Sequence, residues 1–138
     1  MAGAAVENRV YTRLANYAGI TALTNNIFWG YLPESFSLPA LVVSRISGVR
    51  EHCMGSDPDL THSRFQVTAW ADTPEDVTSL AVQVKAALDR WSSSTDYPVV
   101  LETFRDNEVP AYEETDAGAY RTCGVHLDFI VHHRESTA

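Results

Sequence analysis

The chain has 138 residues, 45% of them hydrophobic, enough for a single domain spanning 1–138 with one buried core. Its formal net charge of −8 argues against a protein that grips nucleic acid through phosphate contacts, which rest on Lys and Arg, although DNA could still slide past a like-charged wall. No apolar run reaches the roughly 20 residues that cross a bilayer, and the opening MAGAAVENRV lacks the basic and apolar parts of a secretory signal, so the chain is expected to fold in a cytoplasm without membrane attachment.

The first periodic segment runs from Ala4 to Tyr17. Val6, Val10, Leu14 and Tyr17 recur at helical spacing and make one apolar stripe, with Gly19 as the expected stop. Ile20 to Leu23 forms at most another short turn. Residues 27–39, IFWGYLPESFSLP, read as irregular, because Pro33 and Pro39 remove backbone donors. Four rings fall there: Phe28, Trp29, Tyr31 and Phe36. They either lid the core or, in the case of Trp29 and Tyr31, anchor a neighbouring subunit.

Ala40 to Val49 is β-branched and apolar, and predicts a strand with a bend or bulge at Gly48. Arg50 to Leu60 predicts a loop, and Thr61 to Ala71 a second strand paired to the first as a hairpin. On that strand Phe65, Val67 and Ala69 face the core, whereas Arg64, Gln66, Thr68 and Trp70 share parity with His62 and face away. A wet Trp70 would be costly. Its ring is covered either by loops of the same chain or by another subunit.

The clearest element is a helix capped by Thr73, opened by Pro74, and ending near Trp91. Its stripe is Val77, Leu80, Ala81, Val84, Leu88 and Trp91. Val99 to Phe104 predicts a short strand. Residues 105–119 predict a polar loop carrying Asp106, Glu108, Glu113, Glu114 and Asp116. Long loops of this kind are often functional. The loop is either a solvated acidic segment or an arm that orders against a basic partner. The last strand, Tyr120 to His133, alternates Cys123, Val125, Leu127, Phe129 and Val131 against Gly124, His126, Asp128 and His132. The whole predicts an α+β fold with an antiparallel or mixed four-stranded sheet and two helices packed on one face, in the order α-β-β-α-β-β, with long loops.

Five histidines and two cysteines raise the question of chemistry. Cys123 and His126 have CxxH spacing, but positions three apart on a strand point to opposite faces, and His132 and His133 diverge likewise. No metal or cofactor is expected. A thiol nucleophile would require Cys53 with His52 or His62, yet neither a helix start nor a glycine elbow positions it. A small thiol-dependent enzyme and a host-factor binding module remain the alternatives to a purely structural role.

An ordered set of features resembles the phage tail completion, or tail terminator, proteins. It comprises an N-terminal helix, then LPESFSLPALVVSRISG from Leu32 to Gly48, with its paired prolines and R-I-S-G end. It continues with His52, Met54 and Gly55, then Arg64, Gln66, Val67, Trp70 and Ala71 in the R-x-Q-V-x-x-W-A arrangement. Leu80, Ala81, Ala87, Leu88, Tyr120 and Arg121 complete it. The resemblance spans residues 6 to 131. Asn26-Ile27-Phe28-Trp29 departs from the Arg-Ile-Tyr-Pro-like run of such proteins, and the 105–119 loop is unusually acidic.

The resemblance implies docking rather than chemistry. Proteins of this kind form a ring, usually of six copies, that terminates the tail tube at the head-proximal end of the virion. The partners implied are further copies of the chain, the major tail tube protein and head–tail connector proteins, with DNA passing through the lumen and assembly taking place in the host cytoplasm. The candidate contact residues are Trp29, Tyr31, Arg64, Gln66, Trp70, Asp106, Glu108, Glu113, Glu114 and Asp116.

Overall fold

The computed structural model describes residues 6–30, 39–50, 60–92, 99–114 and 121–134. Three helices, α1 (Val6–Asn16), α2 (Ala18–Thr21) and α3 (Pro74–Leu88), accompany five strands. The strands are β1 (Ile27–Trp29), β2 (Ala40–Arg50), β3 (Leu60–Ala71), β4 (Val99–Glu114) and β5 (Arg121–Arg134). They form one mixed sheet in the order β1-β2-β3-β5-β4, in which only the β1–β2 pair is parallel. The α+β class and the mixed sheet agree with the sequence. Among the described residues the strand count and the helix arrangement differ, with five strands and three helices in place of four and two.

Each difference has a local cause. Ile27–Trp29, read as irregular, pairs with Leu41–Val43, and Leu41 N–H to Asn26 O and Gly30 N–H to Val43 O extend that ladder at 2.8 Å each. A three-residue strand is too short to show alternation. Gly19 does not stop α1, which ends at Asn16; an extended Tyr17 separates it from α2. Gly19 lies within α2, where a Cβ would meet the far end of the Gln83 side chain of α3.

The bulge in β2 falls at Ile46 rather than Gly48, because the register shifts between Arg45 and Ser47. Helix α3 ends at Leu88, short of Trp91, giving 15 residues and a length of about 22 Å. It stops through an extended Asp89 and Arg90 at φ 65°, the left-handed conformation that usually follows a helix end. At its start Thr73 Oγ1 accepts from Asp76 N–H at 3.2 Å, as the capping pattern predicts.

The largest correction concerns residues 105–119. The strand β4 does not end at Phe104 but continues to Glu114, paired with β5 as far as Glu114↔Arg121. Asp106 and Glu108 therefore lie on a strand, and the backbone of Glu113 and Glu114 pairs with Thr122 and Arg121. This stretch lacks apolar alternation because β4 is a sheet edge, and its residues 105–110 are all exposed. Backbone pairing to β5 forms it, with Arg105 N–H also donating to Asp89 Oδ1 at 3.4 Å.

The core lies between the sheet and the helices. Val6, Val10 and Leu14 of α1, Ile20 of α2, and Leu80, Ala81, Val84, Ala87 and Leu88 of α3 bury against Leu41, Val43, Phe65, Val67, Leu127, Phe129 and Val131. Facing pairs such as Phe65↔Phe129 and Val67↔Leu127 place the large side chains of β3 and β5 on this side. Arg13 fastens α1 to α3 by donating from Nε to Ala87 O at 2.9 Å, with its guanidinium over the Tyr17 and Trp91 rings. No helix among the described residues is long and apolar enough to cross a membrane.

Candidate assembly surface

Among the described residues the helices pack on one face of the sheet, so the other face is the place to look for a contact surface. Strand parity sends His62, Arg64, Gln66, Thr68 and Trp70 of β3 to it, with Gly124, His126, Asp128, Ile130 and His132 of β5 directly opposite. On β4, Glu102, Phe104, Asn107 and Val109 face the same way.

These side chains form a continuous polar network across three strands. Arg64 reaches over β5, 3.4 Å from Asp128 and 2.6 Å from Asp106. Asp106 is the extra residue of a bulge between Arg105 and Asn107, and its carboxylate lies within reach of Arg64. Gln66 Nε2 donates to Asp128 at 3.3 Å, so one carboxylate receives both a cation and an amide. All three charged groups are partly wet, and each ion pair is worth at most about 1 kcal/mol to stability. The network orders the surface more than it holds the fold.

One end of the face is aromatic. The His62 and His132 rings lie 4.1 Å apart, with Phe104 edge-on to His132 at 5.3 Å. Arg90 reaches round the β4 edge to pair with Glu102 at 2.8 Å and to cover Phe104 at 5.2 Å. The Glu102 hydrogen bond and charge hold that guanidinium above its ordinary pKa. At the other end Thr68 Oγ1 and His126 Nδ1 share a hydrogen bond of 2.8 Å, and His126 stands edge-on to Trp70 at 6.1 Å.

Trp70 is only 9% exposed. Its ring lies over Gly124, its register partner, so closely that a Cβ there would sit 2.5 Å from Trp70 Cε3. Of the two ways to keep this ring dry, the chain itself supplies the cover.

The expected contact residues therefore separate. Arg64, Gln66, Trp70 and Asp106 converge on the open face. Trp29 lies on the helix-side face at the β1 edge, 42% exposed, with its ring edge-on to Phe65 at 6.4 Å. Glu108 also turns to the helix side, where Lys85 of α3 meets it at 3.1 Å. Tyr31 and Asp116 lie outside the described residues, as does Cys53.

Sequence reasoning missed the role of Asp128, the hub of the polar network, although the alternation of the last strand already put it on that face. The His62–His132–Phe104 cluster needed the strand register, which sequence does not supply. Cys123 is buried on the helix-side face opposite Ala71, with His126 on the other face. Among the described residues no three His, Cys, Asp or Glu side chains group to hold a metal.

Comparison with known proteins adds two findings. The family model described as tail completion protein gp17 matches residues 8–129. A chain from a solved structure titled "Virion of native gene transfer agent (GTA) particle" superposes with a TM-score of 0.66 at 13% identity, covering 91% of both chains, a likeness of fold. No protein with a curated description matches the sequence.

Proposed function

We propose, from the premise that this chain belongs to the tail completion protein gp17 family of phage structural proteins, that it terminates the tail tube and joins tail to head. The family match over residues 8–129 carries this reading. In it the chain acts as a single domain that forms a closed ring, six copies in the expected assembly. One rim meets the major tail tube protein and the other the head–tail connector, while DNA passes through the lumen unbound. Its place is the head-proximal end of the tail, after assembly in the host cytoplasm. The solved chain of like fold belongs to a virion, which accords with this.

Two features of the molecule support a head-to-tail ring. Such a ring needs two different patches per subunit, because the contact is not self-complementary. The β1 edge presents the exposed Trp29, whereas the open face carries the charged Arg64, Asp106 and Asp128, so one subunit offers two unlike patches. The open face bearing Arg64, Gln66 and Asp106, with Trp70 packed against Gly124 at one end, is the proposed contact with a neighbouring subunit or tube protein. A net charge of −8 suits a wall past which DNA moves without sticking.

Mass photometry and negative-stain electron microscopy of the purified protein test the ring, which should appear as closed particles favoured by high concentration. Deletion of the gene should leave filled heads and separate tails, restored to joined particles by the wild-type copy. A deletion that still yields joined, infectious particles would refute the reading.

A further inference from the structure

The bulge at Ile46 has a consequence for α1. In a regular strand Arg45 and Gly48, three apart, would face opposite sides. The extra residue restores parity: Arg45 pairs with Phe65 and Gly48 with Ser63, both on the helix-side face. The Arg45 guanidinium then lies across Gly48, where any Cβ would overlap Nη2. From there Nη1 donates to Glu7 Oε1 of α1 at 2.6 Å, and Nη2 donates to Ser63 Oγ at 2.7 Å. Ser63 Oγ in turn lies 2.7 Å from His133 Nε2, and both residues are fully buried.

Arg45 can only donate, so Ser63 Oγ accepts from it; the hydroxyl then either donates to His133 Nε2 or accepts a second time from an Nε2–H tautomer, and the imidazole is neutral in both cases. A doubly protonated His133 would set a second cation beside Arg45 on that one hydroxyl.

We propose that Arg45, Ile46, Ser47 and Gly48 form a proton-sensitive clamp, which holds α1 on the sheet while His133 is neutral and releases it when His133 is protonated. The groups around His133 agree. It is buried, and Arg45 on β2, His132 on β5 and His62 on β3 all disfavour its charge; only Glu7 on α1 favours it. Val100 of β4 and Thr61 of β3 lie directly opposite and add no charge. Glu7 and Arg45 are the half-wet members of the cluster, so the clamp opens from the α1 side. The inference stands apart from the assembly reading and concerns the free subunit as well as any ring.

Burial first, and then Arg45, lower the His133 pKa from 6.5 to about 4. Linkage to an open state with an ordinary histidine then favours opening by about 30-fold at pH 5 relative to pH 8. Hydrogen exchange followed by mass spectrometry, corrected for intrinsic rates, tests this on the full chain. Protection of residues 6–16 should fall about 30-fold over that range, while β3 and β5 keep theirs. His133→Gln, which can still accept from Ser63, should abolish the pH dependence, and Gly48→Ala should loosen α1 at both pH values. Equal loss of protection in α1, β3 and β5 would overturn the clamp, as would α1 protection that ignores pH. The wild-type comparison decides the matter even if a variant fails to fold.

Discussion

Gly124 and Trp70 offer a direct test of whether the open face is covered from within. A methyl group at position 124 would lie 2.5 and 2.6 Å from two carbons of the indole and 3.1 Å from Ala69 O. Neither the indole, 9% exposed, nor the strand backbone has much room to yield. Overpacking of this kind costs about 1–3 kcal/mol. For 138 residues the unfolding entropy is roughly 0.29 kcal/mol/K, so a loss near 2 kcal/mol lowers Tm by about 7 °C.

Trp70→Ala removes a largely buried aromatic and by itself costs about 3–5 kcal/mol. With the indole gone, Gly124→Ala loses the overlap with the ring and keeps only the 3.1 Å approach to Ala69 O, against the usual strand preference for alanine over glycine of about 0.5–1 kcal/mol. Urea titrations of the four proteins, followed by far-UV circular dichroism, give the coupling energy. It should exceed about 1 kcal/mol, with the cost of Gly124→Ala at least halved in the Trp70→Ala background. Equal cost in both backgrounds would refute the packing argument and return Trp70 to the surface available for a partner.

Three shorter predictions concern pH and the two contact patches. Because the folded His133 pKa lies below its unfolded value, its contribution to stability is complete above pH 6.5 and shrinks as pH falls toward 4. Unfolding free energy should drop by about 2 kcal/mol between pH 7 and pH 5, and His133→Gln should flatten that slope; an unchanged wild-type slope would contradict it. Trp29→Ala, at a 42% exposed edge position, should cost the monomer under about 1.5 kcal/mol yet abolish rings by mass photometry. Asp106→Lys turns an attractive contact with Arg64 into a repulsive one; it should cost about 1 kcal/mol in urea unfolding and weaken assembly far more, and a purely thermal effect would remove Asp106 from the contact.

What could be read from sequence was whatever repeats along the chain. The α3 stripe and its Thr73 cap, the core face of β3 and the alternation of β5 all carry a periodic signal, and all appear in the structure at nearly the expected bounds. The failures share a cause. Ile27–Trp29 is too short for a period, and the second half of β4 is an exposed edge held by the backbone of β5, so neither writes itself into hydrophobicity. Bulges are worse still for sequence reading: Ile46 and Asp106 each shift parity by one, so that Gly48 comes to lie beneath Arg45 while Asn107 and Val109 come to the open face. The R-I-S-G run was visible as a family-like pattern. Its physical reason, a bulge that lets an arginine lie over a glycine, needed the register.

The nature of the β4 edge bears on how a ring could close. A 16-residue edge strand is a ready template for pairing with another chain. Here it is blunted several times over. Pro110 removes a donor, bulges at Leu101 and Asp106 break the ladder's regularity, Glu102 and Glu108 add charge, and Arg90 N–H occupies Thr103 O at 2.8 Å. Edge-to-edge strand addition would also propagate without a fixed rotation, which yields fibres as readily as rings. Subunits of a closed ring should therefore meet through side-chain surfaces such as the open face and Trp29. The double substitution Pro110→Val with Glu108→Val tests this by restoring a continuous, less charged edge. It should leave the circular dichroism of the monomer unchanged and produce thioflavin-positive aggregates on concentration. If rings vanish instead and no aggregates form, the β4 edge is itself the subunit contact, and its charges are there to specify a partner rather than to repel one.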